Sequence, residues 1–177
     1  MVKILFCDID GTLTDGTVFY SERGEEFKQF SHRDGRAFHL LKHKSKVKVF
    51  LITSETGGIN AARAAKFQKL GTIAGFVGGK ETKQDIVRKI AKQENVDLSE
   101  CAFFGDDTND LDAMLACGYM GCPGDANQII KELEDICVTD ALGGRGAVRE
   151  YVDWLFLTEK IHGNSLNGGG NEDQTNT

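Results

Sequence analysis

The chain lacks four things: a long apolar run, a surplus of positive charge, a cysteine-pairing pattern and an internal repeat. Each absence excludes a class of protein. No stretch approaches the roughly 20 apolar residues of a membrane-spanning helix. The N-terminal run MVKILFC stops at Asp8, too early for the core of a secretory signal. Lys and Arg number 21 against 27 Asp and Glu, a net charge of -6. That balance argues against nucleic acid as the main partner, which requires a basic face. It leaves room for an anionic substrate held by local donors or a metal. The five cysteines, Cys7, Cys101, Cys117, Cys122 and Cys137, are odd in number and have no zinc-type spacing. They read as reduced thiols, and the chain as cytoplasmic, without membrane or nucleic-acid partners.

Short apolar runs alternate with segments of helical period. Strands are expected at Lys3–Ile9, Val47–Thr53, Ile73–Val77, Cys101–Gly105 and Tyr119–Cys122, with an edge strand at Ile136–Thr139. Helices are expected at Asp34–Lys44, Gly58–Leu70, Thr82–Asn95, Asn109–Cys117, Asn127–Glu134 and Ala147–Leu157. Thr17–Ser21 and Phe27–Ser31 read as hairpin arms around a turn at Glu22–Glu25. This alternation predicts an α/β fold: a Rossmann-like parallel sheet with helices on both faces, a small β-hairpin insertion and no cap domain. Residues 1–160 are expected to form one domain. The Gly- and Asn-rich segment 161–177 is expected to be a disordered tail.

In such sheets, ligands sit at the carboxyl ends of the strands. Four strand ends carry polar side chains there: Asp8 and Asp10, then Thr53 and Ser54, then Lys83, then Asp106 and Asp107. Asp8-Ile9-Asp10-Gly11-Thr12 places two carboxylates at one turn, where Gly11 lets both bend toward one pocket. One can attack while the other gives and takes protons. A calcium loop needs oxygen ligands at alternate positions, and Leu13 breaks that pattern. Gly105-Asp106-Asp107-Thr108-Asn109-Asp110 adds a second acidic cluster. A helix N-terminus accounts for one such acid. Several crowded carboxylates imply a hard cation, Mg²⁺ if phosphate is the substrate. Thr53 and Ser54 can hold phosphate oxygens at a helix start. Lys83 can neutralise phosphate or the attacking carboxylate, with Lys80 its competitor. Gly78-Gly79-Lys80-Glu81 is not a P-loop, because Ala74 and Glu81 occupy positions that require Gly and Ser or Thr. His39 and His43 lack a third ligand for zinc.

The ordered set Asp8-x-Asp10-Gly11-Thr12, Thr53, Lys83 and Gly105-Asp106-Asp107-x-Asn109-Asp110 resembles the four motifs of the haloacid dehalogenase superfamily. The resemblance implies a Mg²⁺-dependent phosphatase. Asp8 would be the nucleophile and Asp10 the acid–base. The metal would be held by Asp8, Asp106 and the backbone carbonyl of Asp10, with Asp107 supporting it through water. Thr53 and Lys83 would hold the phosphoryl group. Neither the Thr12–Thr53 interval nor the Thr53–Lys83 interval has room for a cap. Thr14-Asp15-Gly16, Arg33-Asp34-Gly35 and the Gly143–Glu150 segment resemble the capless branch acting on 3-deoxy-2-ulosonate phosphates. That branch implies a homotetramer with the hairpin as contact, and Arg145 and Arg149 near an anionic substrate.

Two substrates compete. Thr53-Ser54-Glu55 followed by Arg63 resembles relatives acting on nine-carbon acids, which show Thr-Gly-Glu and then an Arg. This favours N-acylneuraminate or deaminated neuraminate 9-phosphate, with Ser54, Glu55 and Arg63 on the substrate. Arg33-Asp34-Gly35 is closer to the group acting on 3-deoxy-D-manno-octulosonate 8-phosphate, the alternative. A receiver domain would place its acidic pair first and its lysine last, unlike the order here. A non-catalytic assembly domain would have lost acids that this chain keeps.

Overall fold

Every residue of the first strand, β1 (Ile4–Cys7), is buried, so the strand must be covered on both faces. Alternation divides it between them. Leu5 and Cys7 enter one apolar cluster, and Ile4 and Phe6 the other. The computed structural model describes residues 1–163. Around β1 stand β4 (Lys48–Thr53), β5 (Gly75–Gly78), β6 (Cys101–Phe104), β7 (Tyr119–Cys122) and β8 (Cys137–Val138). The sheet order is β5-β4-β1-β6-β7-β8, and every adjacent pair is parallel.

Helices α1 (His32–Lys44), α2 (Gly58–Lys69) and α6 (Ala147–Leu157) bury Phe38, Phe67 and Tyr151 in the first cluster. Helices α3 (Lys83–Gln93), α4 (Leu111–Ala116) and α5 (Gln128–Lys131) bury Ile86, Met114 and Ile130 in the second. This is the expected α/β fold with both faces covered. The intervals where a cap would insert hold the hairpin, α1 and β4 in one case, and α2 and β5 in the other.

The hairpin strands β2 (Phe19–Ser21) and β3 (Gly24–Phe27) form a separate antiparallel sheet. The turn is tighter than expected. Ser21 pairs with Gly24, which leaves only Glu22 and Arg23 at the tip. Gly24 takes a φ of 106° as the chain leaves the turn, a backbone conformation that glycine adopts readily and other residues rarely do. The second arm therefore starts at Gly24 rather than Phe27. The third sheet strand runs Gly75–Gly78 rather than Ile73–Val77, and the N–H of Ala74 just before it already donates to Val49 O of β4. Ile161, expected in the tail, is buried against the core. His162 and Gly163 are exposed, and the remainder of the expected tail, 164–177, lies outside the described residues. Among the described residues no helix is long and apolar enough to cross a membrane.

Asp34 of α1, 1% exposed, fixes the last helix. Its carboxylate accepts the backbone N–H groups of Gly146 and Arg149, both at 3.1 Å. These are orphan donors of the first turn of α6, which a cap must satisfy. Asp34→Ala should cost about 1–3 kcal/mol, because it leaves these N–H groups without an acceptor. A fall of several degrees in thermal midpoint is expected, and an unchanged midpoint would contradict the capping role.

Candidate active site

The switch point of the sheet lies at β1, where the chain has built β4 and β5 on one side and goes on to β6 on the other. A crevice opens at the carboxyl ends there. Asp8 follows β1 directly, its N–H still bonded to Phe104 O of β6 at 3.0 Å. The chain then folds back, with the N–H groups of Thr12, Leu13 and Thr14 all donating to Ile9 O. Gly11 at φ 85° sits in this turn, and a Cβ there would lie 2.1 Å from Asp106 Oδ2. Only glycine lets the two acidic loops come this close.

Asp8, Lys83, Asp106 and Asp110 meet in that crevice. Lys83 Nζ lies 2.7 Å from Asp8 Oδ1 and 2.6 Å from Asp110 Oδ1. Lys83 is 4% exposed and Asp8 3%. Burial, which would lower the Lys83 pKa, is outweighed by these two carboxylates, and the ammonium is held above its usual range. Asp110 Oδ2 accepts the N–H groups of Asp106 at 3.0 Å and Asp107 at 3.3 Å. Thr12 Oγ1 donates to Asp106 Oδ1 at 2.9 Å. Burial first, then the neighbouring Asp110, pushes the Asp8 carboxyl well above the usual range. Burial likewise raises Asp106, to about 6.

Asp8, Asp106 and Asp110 offer oxygens within 4.8 Å of one another. Three carboxylates beside one ammonium leave two negative charges, the deficit a divalent cation fills. The oxygen-only donor set suits a hard ion such as Mg²⁺. Asp110 has both oxygens engaged by donors, so Asp8 and Asp106 are the better placed ligands.

Asp10 has a different environment. Its Oδ2 accepts Asn60 Nδ2 at 2.7 Å and Thr53 Oγ1 at 3.1 Å, and its Oδ1 faces Lys28 Nζ at 2.8 Å. Thr53, expected on the phosphoryl group, thus donates to Asp10 and accepts the N–H of Glu55 at 3.0 Å. A cleft of 230 Å³ is lined by Asp8, Asp10, Thr53, Ser54, Glu55, Lys83, Asp106, Asp107 and Asn109. Among the expected site residues, Arg63 is not there. Its guanidinium stacks over Phe67 at 4.3 Å and Phe30 at 5.4 Å, beside a separate groove between α1 and α2. Lys80 is exposed, and Lys83 is the lysine that enters the cleft. Arg145 lies 3.4 Å from Asp15, and Arg149 pairs with Asp153 on its own helix. Asp107 turns its Oδ1 to Thr108 N and Asn127 Nδ2.

Sequence reasoning gave no role to Asn60, Lys28 or Asp110. Asp110 was legible as part of the acidic cluster, but its pairing with Lys83 was not. Asn60 is a neutral amide on a helix, and Lys28 an ordinary charge in a hairpin; neither carries a motif. A larger cavity of 730 Å³ lies at the opposite edge of the sheet, among Met1, Lys3, Lys46 and His162, away from this chemistry.

Fold and site together define an α/β protein whose cleft gathers buried carboxylates around one lysine ammonium. The model of the haloacid dehalogenase-like hydrolases matches residues 18–118. The 3-deoxy-D-manno-octulosonate 8-phosphate phosphatase of Haemophilus influenzae is 34% identical over 158 residues, covering 89% of this chain and 84% of that protein. The zebrafish (Danio rerio) N-acylneuraminate cytidylyltransferase A is 32% identical over 90% of this chain, but only 36% of its own length is matched. The solved structure of the Moraxella catarrhalis octulosonate 8-phosphate phosphatase, in complex with magnesium, phosphate and the free sugar acid, superposes with a TM-score of 0.79. It is 29% identical, with 88% of this chain and 86% of that one covered. The chain belongs to the haloacid dehalogenase-like hydrolases, and it is a phosphoric monoester hydrolase.

Protons and metal compete for the same carboxylates. With Asp106 at about 6 and Asp8 raised as well, a divalent ion held by these carboxylates would displace protons as pH falls through that range. Affinity for Mg²⁺ should therefore drop by about tenfold or more per pH unit below 6, one factor of ten for each proton displaced. Calorimetric titrations at pH 5, 6 and 7 check this, and a pH-independent affinity would contradict it.

Proposed function

We propose that the protein is a Mg²⁺-dependent phosphatase of 3-deoxy-D-manno-octulosonate 8-phosphate, acting through a phosphorylated Asp8. The observation that carries the mechanism is the placement of Asp8, Lys83, Asp106 and Asp10 in one cleft. An Asp8 carboxylate oxygen attacks phosphorus as the phosphorus–oxygen bond to the sugar breaks. Asp10 delivers a proton to the departing alkoxide. It then takes a proton from water as that water attacks phosphorus and frees Asp8. Lys83 holds positive charge 2.7 Å from the nucleophile throughout. Mg²⁺, held by Asp8, Asp106 and the Asp10 carbonyl, would neutralise charge on the phosphoryl oxygens.

The substrate reading rests on the relatives that act on the eight-carbon acid, which match nearly the whole chain. The nine-carbon 9-phosphates are the second reading. Glu55 favours it, since it lines the cleft beside Thr53. Arg63, the other half of that signature, stacks outside the cleft. The capless cleft fits a homotetramer, and the hairpin presents exposed Phe19, Tyr20 and Phe27 for a second copy. The free cysteines, four of them buried, fit a cytoplasmic enzyme.

Phosphate release with Mg²⁺ should show a higher kcat/KM for the eight-carbon 8-phosphate than for either nine-carbon 9-phosphate. The reverse order would keep the chemistry and move specificity to Glu55. Asp8→Asn should lower kcat about 10⁴-fold or more while the thermal midpoint stays near that of the parent. Light scattering should return four chain masses, and a single mass would contradict the tetramer.

A further inference from the structure

The hairpin pairs with no strand of the main sheet, yet it places one buried side chain against the catalytic edge. Lys28, just past β3, is 2% exposed in its side chain and lies 2.8 Å from Asp10 Oδ1. Its second partner is Glu25 Oε2 at 3.6 Å, and Glu25 Oε1 accepts Tyr20 Oη at 3.0 Å. Glu25 also abuts the start of α2, with its Oε2 3.3 Å from where a Cβ on Gly57 would sit. A chain of contacts thus runs from the exposed Tyr20 on β2 through Glu25 and Lys28 to Asp10. On the other side, Thr53 and Asn60 hold Asp10 Oδ2 from the ends of β4 and α2. The two carboxylate oxygens are therefore fixed by different elements, one by the body of the protein and one by the hairpin.

We propose that Lys28 is a positioning residue for the acid–base step: it orients the Asp10 carboxylate, so that seating of the hairpin and alignment of Asp10 are one event. This rests on Asp10 acting as acid–base. Alignment matters because proton transfer needs the acid within hydrogen-bond reach of the leaving oxygen. A carboxylate gripped on one oxygen only is free to turn about its χ2 angle, which is a soft torsion. The burial of the Lys28 ammonium separates this contact from surface ion pairs, which contribute little.

The test exploits the leaving group. A sugar alkoxide needs a proton as it departs, whereas p-nitrophenolate does not. Alcohol release in a rapid-quench first turnover at saturating substrate is compared for the sugar-acid phosphate and for p-nitrophenyl phosphate. Lys28→Met should slow the first by about 30-fold and the second by less than about 3-fold, with KM little changed. Lys28→Arg, which keeps the charge on a different geometry, should recover part of the loss. It also carries the test if the methionine variant does not fold. Equal slowing on both substrates, no slowing, or an effect confined to KM would overturn the proposal. Asp10→Asn run in parallel separates the two readings. If Asp10→Asn shows the leaving-group difference and the Lys28 variants do not, only the positioning role falls. If Asp10→Asn shows none, the acid–base assignment falls with it.

Discussion

The catalytic edge depends on one buried ammonium. Lys83 sits between Asp8 and Asp110 at the mouth of the central strand, and all three are nearly closed to solvent. Like charges about 4 Å apart repel by about 4 kcal/mol at the effective dielectric of a protein surface, and by more as water is removed. Asp8, Asp106 and Asp110 could not be held within 4.8 Å without compensation. Lys83 supplies part of it permanently. The remaining negative charge is what a divalent ion held by these carboxylates would neutralise.

The fold delivers this arrangement through strand order. β1 and β6 are neighbours although far apart in sequence, which brings the loop after Phe104 against the turn after Cys7. Gly11 makes the contact close enough, because any side chain there would enter the Asp106 carboxylate. α3 begins at Lys83 itself, after the Thr82 side chain caps it by accepting the Asp85 N–H. That cap aims the lysine into the cleft instead of leaving it on the helix flank. The four acids then differ by environment. Asp110 is saturated by donors and orients Lys83, Asp8 and Asp106 keep capacity for a metal, and Asp10 is held by neutral donors and Lys28. This separation of environments is how one residue type performs several tasks in one site.

Much of this was legible in the sequence because the signals were local. Buried strands such as Val47–Thr53 appear as apolar runs, and the acids stand where those runs end. The hairpin was legible as a hairpin but not in its register, because the exit from the turn depends on the φ of Gly24 rather than on polarity. Asn60 and Lys28 were not legible. Each matters only through its distance to Asp10, which tertiary folding creates. Arg63 shows the converse. Its sequence interval from Glu55 suggested a shared pocket, but its position on α2 turns it toward Phe67 and Phe30, where burial lowers its pKa. Interval along the chain does not fix the face of a helix until the start of that helix is known.

The central claim is that Asp8 carries the phosphoryl group. The direct measurement is acid quench during turnover of ³²P-labelled substrate with Mg²⁺, followed by borohydride reduction and peptide mapping. The account predicts transient label on the protein and reductive conversion at Asp8, absent in Asp8→Asn. Phosphate release at full rate with no label on the protein, or with the modification at another residue, would contradict it.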